Sequence, residues 1–428
     1  MLHPLKKIVD QNRSGVPVGI CSVCSSNEFV IESAMEESCR YHSTLLIEAT
    51  ANQVNQFGGY TGMTPQTFRS YVLGIAERTG FPAKDIVLGG DHLGPLTWKS
   101  EKAEDAMEKA KTLVALFARA GFTKIHLDTS MKLGGDADGR LDPEIVAERG
   151  AGLCEAAESS LGLSGNNRRP VYVIGSEVPI PGSAQAEDGL TVTSAENFAE
   201  TVELFKNSFL QHGLERAWEN VIAVVVQPGV EFGSHAVHDY NRVEAQNLIH
   251  AVGRYPNLVF EGHSTDYQKQ SSLKQMVEDH IAILKVGPAL TFAFREGLMS
   301  LEQMEKDLLF GQKALSDFSG ALENAMLRNP SNWKQYFKGS EIQQRLDRKY
   351  SYSDRCRYYF SDAAVQGAVD RLFRNLGPVS LPMPMISQYF PSAYWKIRNG
   401  EMRGTPEDLA KERIKETLDM YYSAVTPS

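Results

Sequence analysis

Short runs of apolar, mostly β-branched residues recur along the chain. They are VGICSVCS (18–25), TLLIEAT (44–50), DIVLGGDH (85–92), KIHLDTS (124–130), VYVIGSEV (171–178), VIAVVVQPG (221–229), NLVFEGHST (257–265) and IAILKVGPA (281–289). Each has the length and composition of a strand. Between them lie segments such as SEKAEDAMEKAKTLVALFARAG (100–121), where apolar residues return every three or four positions and the first turn is acidic, as helices require. Near-continuous apolar strands alternating with helices predict an α/β fold with a parallel sheet covered on both faces. Eight such units within residues 1–290 predict a (β/α)8 barrel. A doubly wound open sheet is the alternative, because periodicity alone does not establish closure.

Beyond residue 290 the pattern changes. Helical spacing dominates residues 291–428, interrupted by KYSYSDRCRYYF (349–360) and the Pro-rich LPMPMISQYFP (381–391). We expect a C-terminal helical extension packed on the barrel.

The chemistry gathers where the predicted strands stop. Cys24, Glu48, Asp91 with His92, Asp128, Glu177, Gln227, His263 with Ser264 and Asp266, and Lys285 all stand at or near strand ends. In a barrel these ends form the functional face. Core filling does not call for them, because ionisable groups are costly to bury unless paired. His92 and His263 follow the third and seventh runs, and neutral imidazole is a common ligand of Zn²⁺. FGSHAVHDY, after the sixth run, offers His235 and His238 as a third imidazole or as a plain surface loop. Asp91 and Asp128 are the candidate acid and base, with Glu177 as a further catalytic or metal-binding carboxylate. Glu48, Gln227, Ser264, Asp266 and Lys285 are candidate substrate contacts.

Composition narrows the classes. The 428 residues carry a formal charge of -9 and a pI near 5.7, with no basic cluster, which argues against nucleic acid. An anionic substrate would need a local basic or backbone site. Five cysteines (21, 24, 39, 154, 356) with no apolar leader predict free thiols in a reducing cytoplasm. No apolar run reaches the roughly 18 residues of a membrane span. CSVC has the C-x-x-C spacing but lies inside a predicted strand, so core cysteines are the better reading. FGGYTGMTP (57–65) lacks the Gly-Lys-Ser/Thr ending of a P-loop, and nothing reads as a nucleoside triphosphate site.

Several long blocks, including LIEATANQVNQFGGYTGMTP, LGGDHLGP, KIHLDTSM, VVQPGVEF, HSTDYQ, LKVGPALTFA, YSYSDRCRYY and PMISQYFP, resemble the Z-subunit family of D-tagatose-1,6-bisphosphate aldolase. The resemblance implies a barrel similar to class II aldolases. It also implies a non-catalytic subunit, needed by a separate catalytic chain for activity and stability in galactitol or N-acetylgalactosamine catabolism, and hence an oligomer. Against the class II pattern, Asp91 and His92 look like the catalytic aspartate and first zinc ligand. His263 looks like a later zinc ligand, and His235 is an approximate match to the remaining one. Where class II aldolases place a glycine-rich phosphate loop after the later histidine, this chain has Ser264, Thr265 and Asp266, and an aspartate has the wrong sign for phosphate.

The first functional expectation is therefore an accessory aldolase subunit. The second is a metal-dependent C4-epimerase of a ketose phosphate, as some related proteins are, with His92, His263 and Glu177 on the metal and Asp91 and Asp128 moving protons. A sugar-phosphate-binding scaffold without turnover is the third.

Overall fold

The computed structural model describes residues 2–139, 141–161, 169–176, 190–312 and 314–427. The eight apolar runs form the strands of a closed barrel: β1 (Ile20–Cys24), β2 (Leu45–Thr50), β3 (Ile86–Leu93), β4 (Lys124–Leu127), β5 (Val171–Gly175), β6 (Val221–Val226), β7 (Val259–Gly262) and β8 (Ile281–Val286). Each strand pairs in parallel with its sequence neighbour. Pairing of β1 with β8, from Ile20↔Ile283 to Val23↔Val286, closes the ring and removes the open-sheet alternative.

Side-chain alternation divides each strand between the bore and the helical layer. At the end where strands begin, Ile20, Leu46, Val87, Val171, Val259 and Ile283 belong to one buried apolar cluster, joined by Leu5 and Val9 of the helix Pro4–Arg13. That helix plugs the bore. The outward face of β3, β4 and their neighbours meets the amphipathic helices. Ala103–Arg119 buries Ala106, Ala110, Leu113, Val114, Phe117 and Ala118, the three-and-four spacing read from the sequence. Burying each of its larger side chains contributes about 1.5–3 kcal/mol. Among the described residues, no helix is long and apolar enough to cross a membrane.

The chain after β8 does two things. Helix Pro288–Leu308 starts directly beyond the strand, and the final helix Pro406–Val425 packs against it, against Glu28–Arg40 after β1 and against Gln270–Glu278 after β7. The final helix thus fills the gap in the outer ring between the first and seventh helices. Its Tyr421 hydroxyl donates to the Thr265 carbonyl at 2.6 Å, and the Val425 carbonyl accepts from the Gly19 N–H at 2.9 Å. The tyrosine- and arginine-rich segment forms a 3-10 turn, Arg355–Tyr359, over the ends of the strands. Asp354 secures it: its carboxylate accepts from Thr291 Oγ1 at 2.6 Å and Arg295 Nε at 3.3 Å, both on the helix after β8.

Candidate active site

Two residues above the apolar cluster, the bore becomes charged. Lys124 is fully buried with its ammonium 2.6 Å from Glu48 Oε1 and 2.8 Å from Glu261 Oε1. Ser22 donates to Glu48 Oε2 at 2.7 Å. Gly89 makes this possible, because a Cβ there would lie 2.4 Å from the Glu48 carboxylate. Burial alone would lower Lys124, but Glu261, Glu48 and Asp91 outweigh it and hold the ammonium charged. Burial likewise pushes Glu261 up, and Lys124 and His263 more than reverse it. Burial raises Glu48, with Glu261 and Asp91 adding to it, so the two carboxyls sharing one lysine are driven apart.

Above this layer stand three imidazoles and two aspartates. The ring centroids of His92, His126 and His263 are 4.8–5.3 Å apart. His126 Nε2 faces the Gly175 carbonyl at 2.9 Å and must carry a proton there, while Nδ1 lies 3.1 Å from Asp91 Oδ1 and 3.1 Å from the His92 N–H. Asp91 also pairs with Lys285. Burial would raise Asp91, but His92, Lys285, His126 and His263 together hold it well below the usual carboxylate range. Asp128 accepts from Ser130 Oγ at 2.7 Å and lies 2.8 Å from His92 Nδ1, contacts that overcome burial and keep it ionised. His92 and Ser264 turn through left-handed backbone, φ 45° and 52°. For residues with a Cβ this costs about 1–3 kcal/mol each, and such strain clusters at functional sites.

The cluster forms the floor of a cavity of about 1310 Å³, lined by His92, Asp128, His263 and Lys285 below and by Arg355, Arg357 and Tyr358 of the C-terminal segment. The sequence profile described as D-tagatose-1,6-bisphosphate aldolase subunit GatZ/KbaZ-like matches residues 5–426. The chain belongs to this GatZ/KbaZ-like family. It is 44% identical over 418 residues to the D-tagatose-1,6-bisphosphate aldolase subunit GatZ of Escherichia coli (strain SMS-3-5 / SECEC), covering 97% of this chain and 99% of that protein. A crystal structure of a probable tagatose 6 phosphate kinase from Sinorhizobium meliloti 1021 superposes with a TM-score of 0.88 at 42% identity, over 95% of this chain and all of that one.

In this GatZ/KbaZ-like barrel, Asp91, His92, Asp128, His263, Ser264, Asp266 and Lys285 come together as their strand ends suggested. Glu48 lies deeper, in the lysine layer. Gln227 does not reach the cavity: its Oε1 accepts from the N–H groups of Gly229 and Val230 at 2.9 and 3.0 Å, bracing its own turn. His235 is a correction. It is exposed and bonded to Asp347 at 3.0 Å, outside the cluster, because the loop after β6 runs over the surface. Glu177 lies outside the described residues. Strand-end reading missed Lys124, His126 and Glu261, which sit within the apolar runs, and the arginines of the distant C-terminal turn.

One buried group of donors could hold a metal ion. Asp91, His126, Glu261 and His263 each offer a ligand atom, all within 4.8 Å of one another. Glu261 Oε2 is buried with no hydrogen-bond partner. Two imidazoles and two carboxylates suit a borderline divalent cation. His126 belongs to this group, while His92 stands beside it with Nδ1 2.8 Å from Asp128 Oδ2.

Proposed function

We propose that this chain is the Z-type subunit of a D-tagatose-1,6-bisphosphate aldolase, a cytoplasmic barrel that joins a separate catalytic chain, raises its activity and stability, and takes a phosphorylated ketose in its own cavity. The observation that carries the reading is Asp266. Its Oδ1 accepts from the N–H groups of Gly287 and Ala289, at 3.0 and 2.8 Å, at the start of the helix after β8. Those amides would otherwise be an anion seat. With a carboxylate on them, bisphosphate cleavage by this chain alone lacks one of its two anchors, and dependence on a partner follows. The near full-length likeness to E. coli GatZ supports the same reading.

The retained cluster favours a second reading, a metal-dependent C4-epimerase of a ketose phosphate. A zinc ion held by Asp91, His126, Glu261 and His263, with Glu177 as a further donor, would polarise the ketose carbonyl. Asp128, oriented by Ser130 and bonded to His92, would take a proton from a sugar hydroxyl and return it, while Lys285 offsets negative charge developing beside Asp91.

The test is to assay the purified chain, with and without zinc, for epimerisation and aldol cleavage, and then with a catalytic subunit added. We expect stimulation of the partner that survives Asp91→Asn at nearly the wild-type level. Turnover of a ketose phosphate by the chain alone, abolished by Asp91→Asn, would replace the first reading with the second.

A further inference from the structure

The cavity wall opposite the strand ends carries two cations that have no counter-ion among the described residues. Arg355 is 9% exposed, its Nε has no hydrogen-bond partner, and its guanidinium stacks 3.3 Å over the ring of Tyr336. Arg357 is held by carbonyls: Nη1 donates to Ser353 O at 2.5 Å and Asp354 O at 3.0 Å, and Nη2 to the Tyr358 hydroxyl at 2.9 Å. Among the described residues, neither arginine forms an ion pair with a carboxylate, whereas the buried Arg295 and the half-buried Arg149 each do. The nearest acid in sequence, Asp354, is committed to Thr291 and Arg295. Burying one cation beside another is unfavourable unless an anion compensates it, and the fold retains both here. Burial would raise the phenol of Tyr358, yet Arg357 and Arg355 hold it below its ordinary value, as a local excess of positive charge would.

We infer that Arg355 and Arg357 form the phosphate subsite of the cavity, gripping the phosphoryl end of the ketose while the sugar carbons lie over the Asp91–His263 cluster. The inference rests on the reading of the cavity as a ketose-phosphate site. Planar guanidinium forks suit a phosphoryl group, which accepts two parallel N–H bonds from one arginine. Here a single phosphoryl end is held by side chains of the C-terminal turn, reaching over the barrel from beyond β8, while the helix amides stay occupied by Asp266 and a second phosphoryl group still lacks its anchor. Asp266 and Arg357 both line this cavity, so the two walls bound the same space.

The test is calorimetric titration of the full-length chain with D-tagatose 6-phosphate, D-tagatose and inorganic phosphate, repeated on Arg355→Gln and Arg355→Lys. We expect at least a tenfold preference for the phosphorylated sugar in the wild type. Arg355→Gln should abolish it, with affinity for D-tagatose unchanged, and Arg355→Lys should retain part of it. Equal wild-type affinity for both sugars overturns the subsite without any variant, and so does a preference that survives Arg355→Gln. Binding of inorganic phosphate that Arg355→Gln removes, with neither sugar bound, supports the subsite while refuting the ketose reading.

Discussion

At the end of the bore where the strands begin, Ile20, Leu46, Val259 and Ile283 pack against Leu5 and Val9; two residues further along the same strands stand Ser22, Glu48, Glu261 and Lys285. The backbone is the same and the burial nearly so. The lower layer gains free energy by leaving water. The upper layer gives up that gain to hold charges whose mutual attraction does little more than offset their desolvation. A barrel needing only to stand would continue Ile and Val to the rim. The charged layer is therefore the part of the bore that stability does not explain.

The strongest way to break the contrast is Lys124→Met, which leaves Glu48 and Glu261 buried together without a cation. A loss of about 3–5 kcal/mol in urea unfolding is expected. Combining it with Glu48→Gln and Glu261→Gln should restore much of that stability while emptying the site of charge. A single variant with wild-type stability would show that the layer is wetter than its burial implies. In the lower layer, Leu46→Ala should cost about 2–4 kcal/mol through the cavity it leaves. Binding to the upper cavity should be unchanged, so a shifted sugar affinity in this variant would argue that the layers are not independent.

The charged layer was the less legible of the two. Runs of Val, Ile and Leu announce strands because period-two burial needs apolar residues on both faces of a parallel sheet. Asp91, His92, Asp128 and His263 were readable because they interrupt those runs at the ends. Lys124, His126 and Glu261 lie inside them, where a charge reads as a blemish in a strand. The available signal was alternation: in K-I-H-L-D, residues 124, 126 and 128 share one face, as do 261 and 263 in E-G-H. Gln227 and His235 are polar in the right places but bond their own surroundings, a distinction only coordinates make. No local pattern links Arg355 and Arg357 to strand ends so much earlier in the chain.

A smaller effect sharpens the comparison at the rim. Burial outweighs the two backbone N–H groups on Asp266 and raises its carboxyl from 3.8 to about 6. A raised acid contributes stability that is fully present below about pH 4 and lost as the pH climbs through about 6. Asp266→Asn keeps an oxygen for the amides and removes the titration. The wild type should therefore lose roughly 1–3 kcal/mol relative to this variant between pH 4 and 7, at about 1.4 kcal/mol per pKa unit. Parallel stability profiles for the two proteins would mean that the carboxyl is ionised at ordinary acidity, with Arg357 dominating over burial.

The last helix, Pro406–Val425, has its consequence during synthesis. When a ribosome has made all eight strands, the flank between Glu28–Arg40 and Gln270–Glu278 still lacks its cover, and the carbonyl that meets Gly19 does not yet exist. Some 140 further residues must emerge before that flank can close. A nascent barrel therefore waits, with an apolar side open, for this helix, and a transcript cut short just before it encodes every strand and most of the cavity yet leaves a chain with a sticky flank for chaperones and proteases to find.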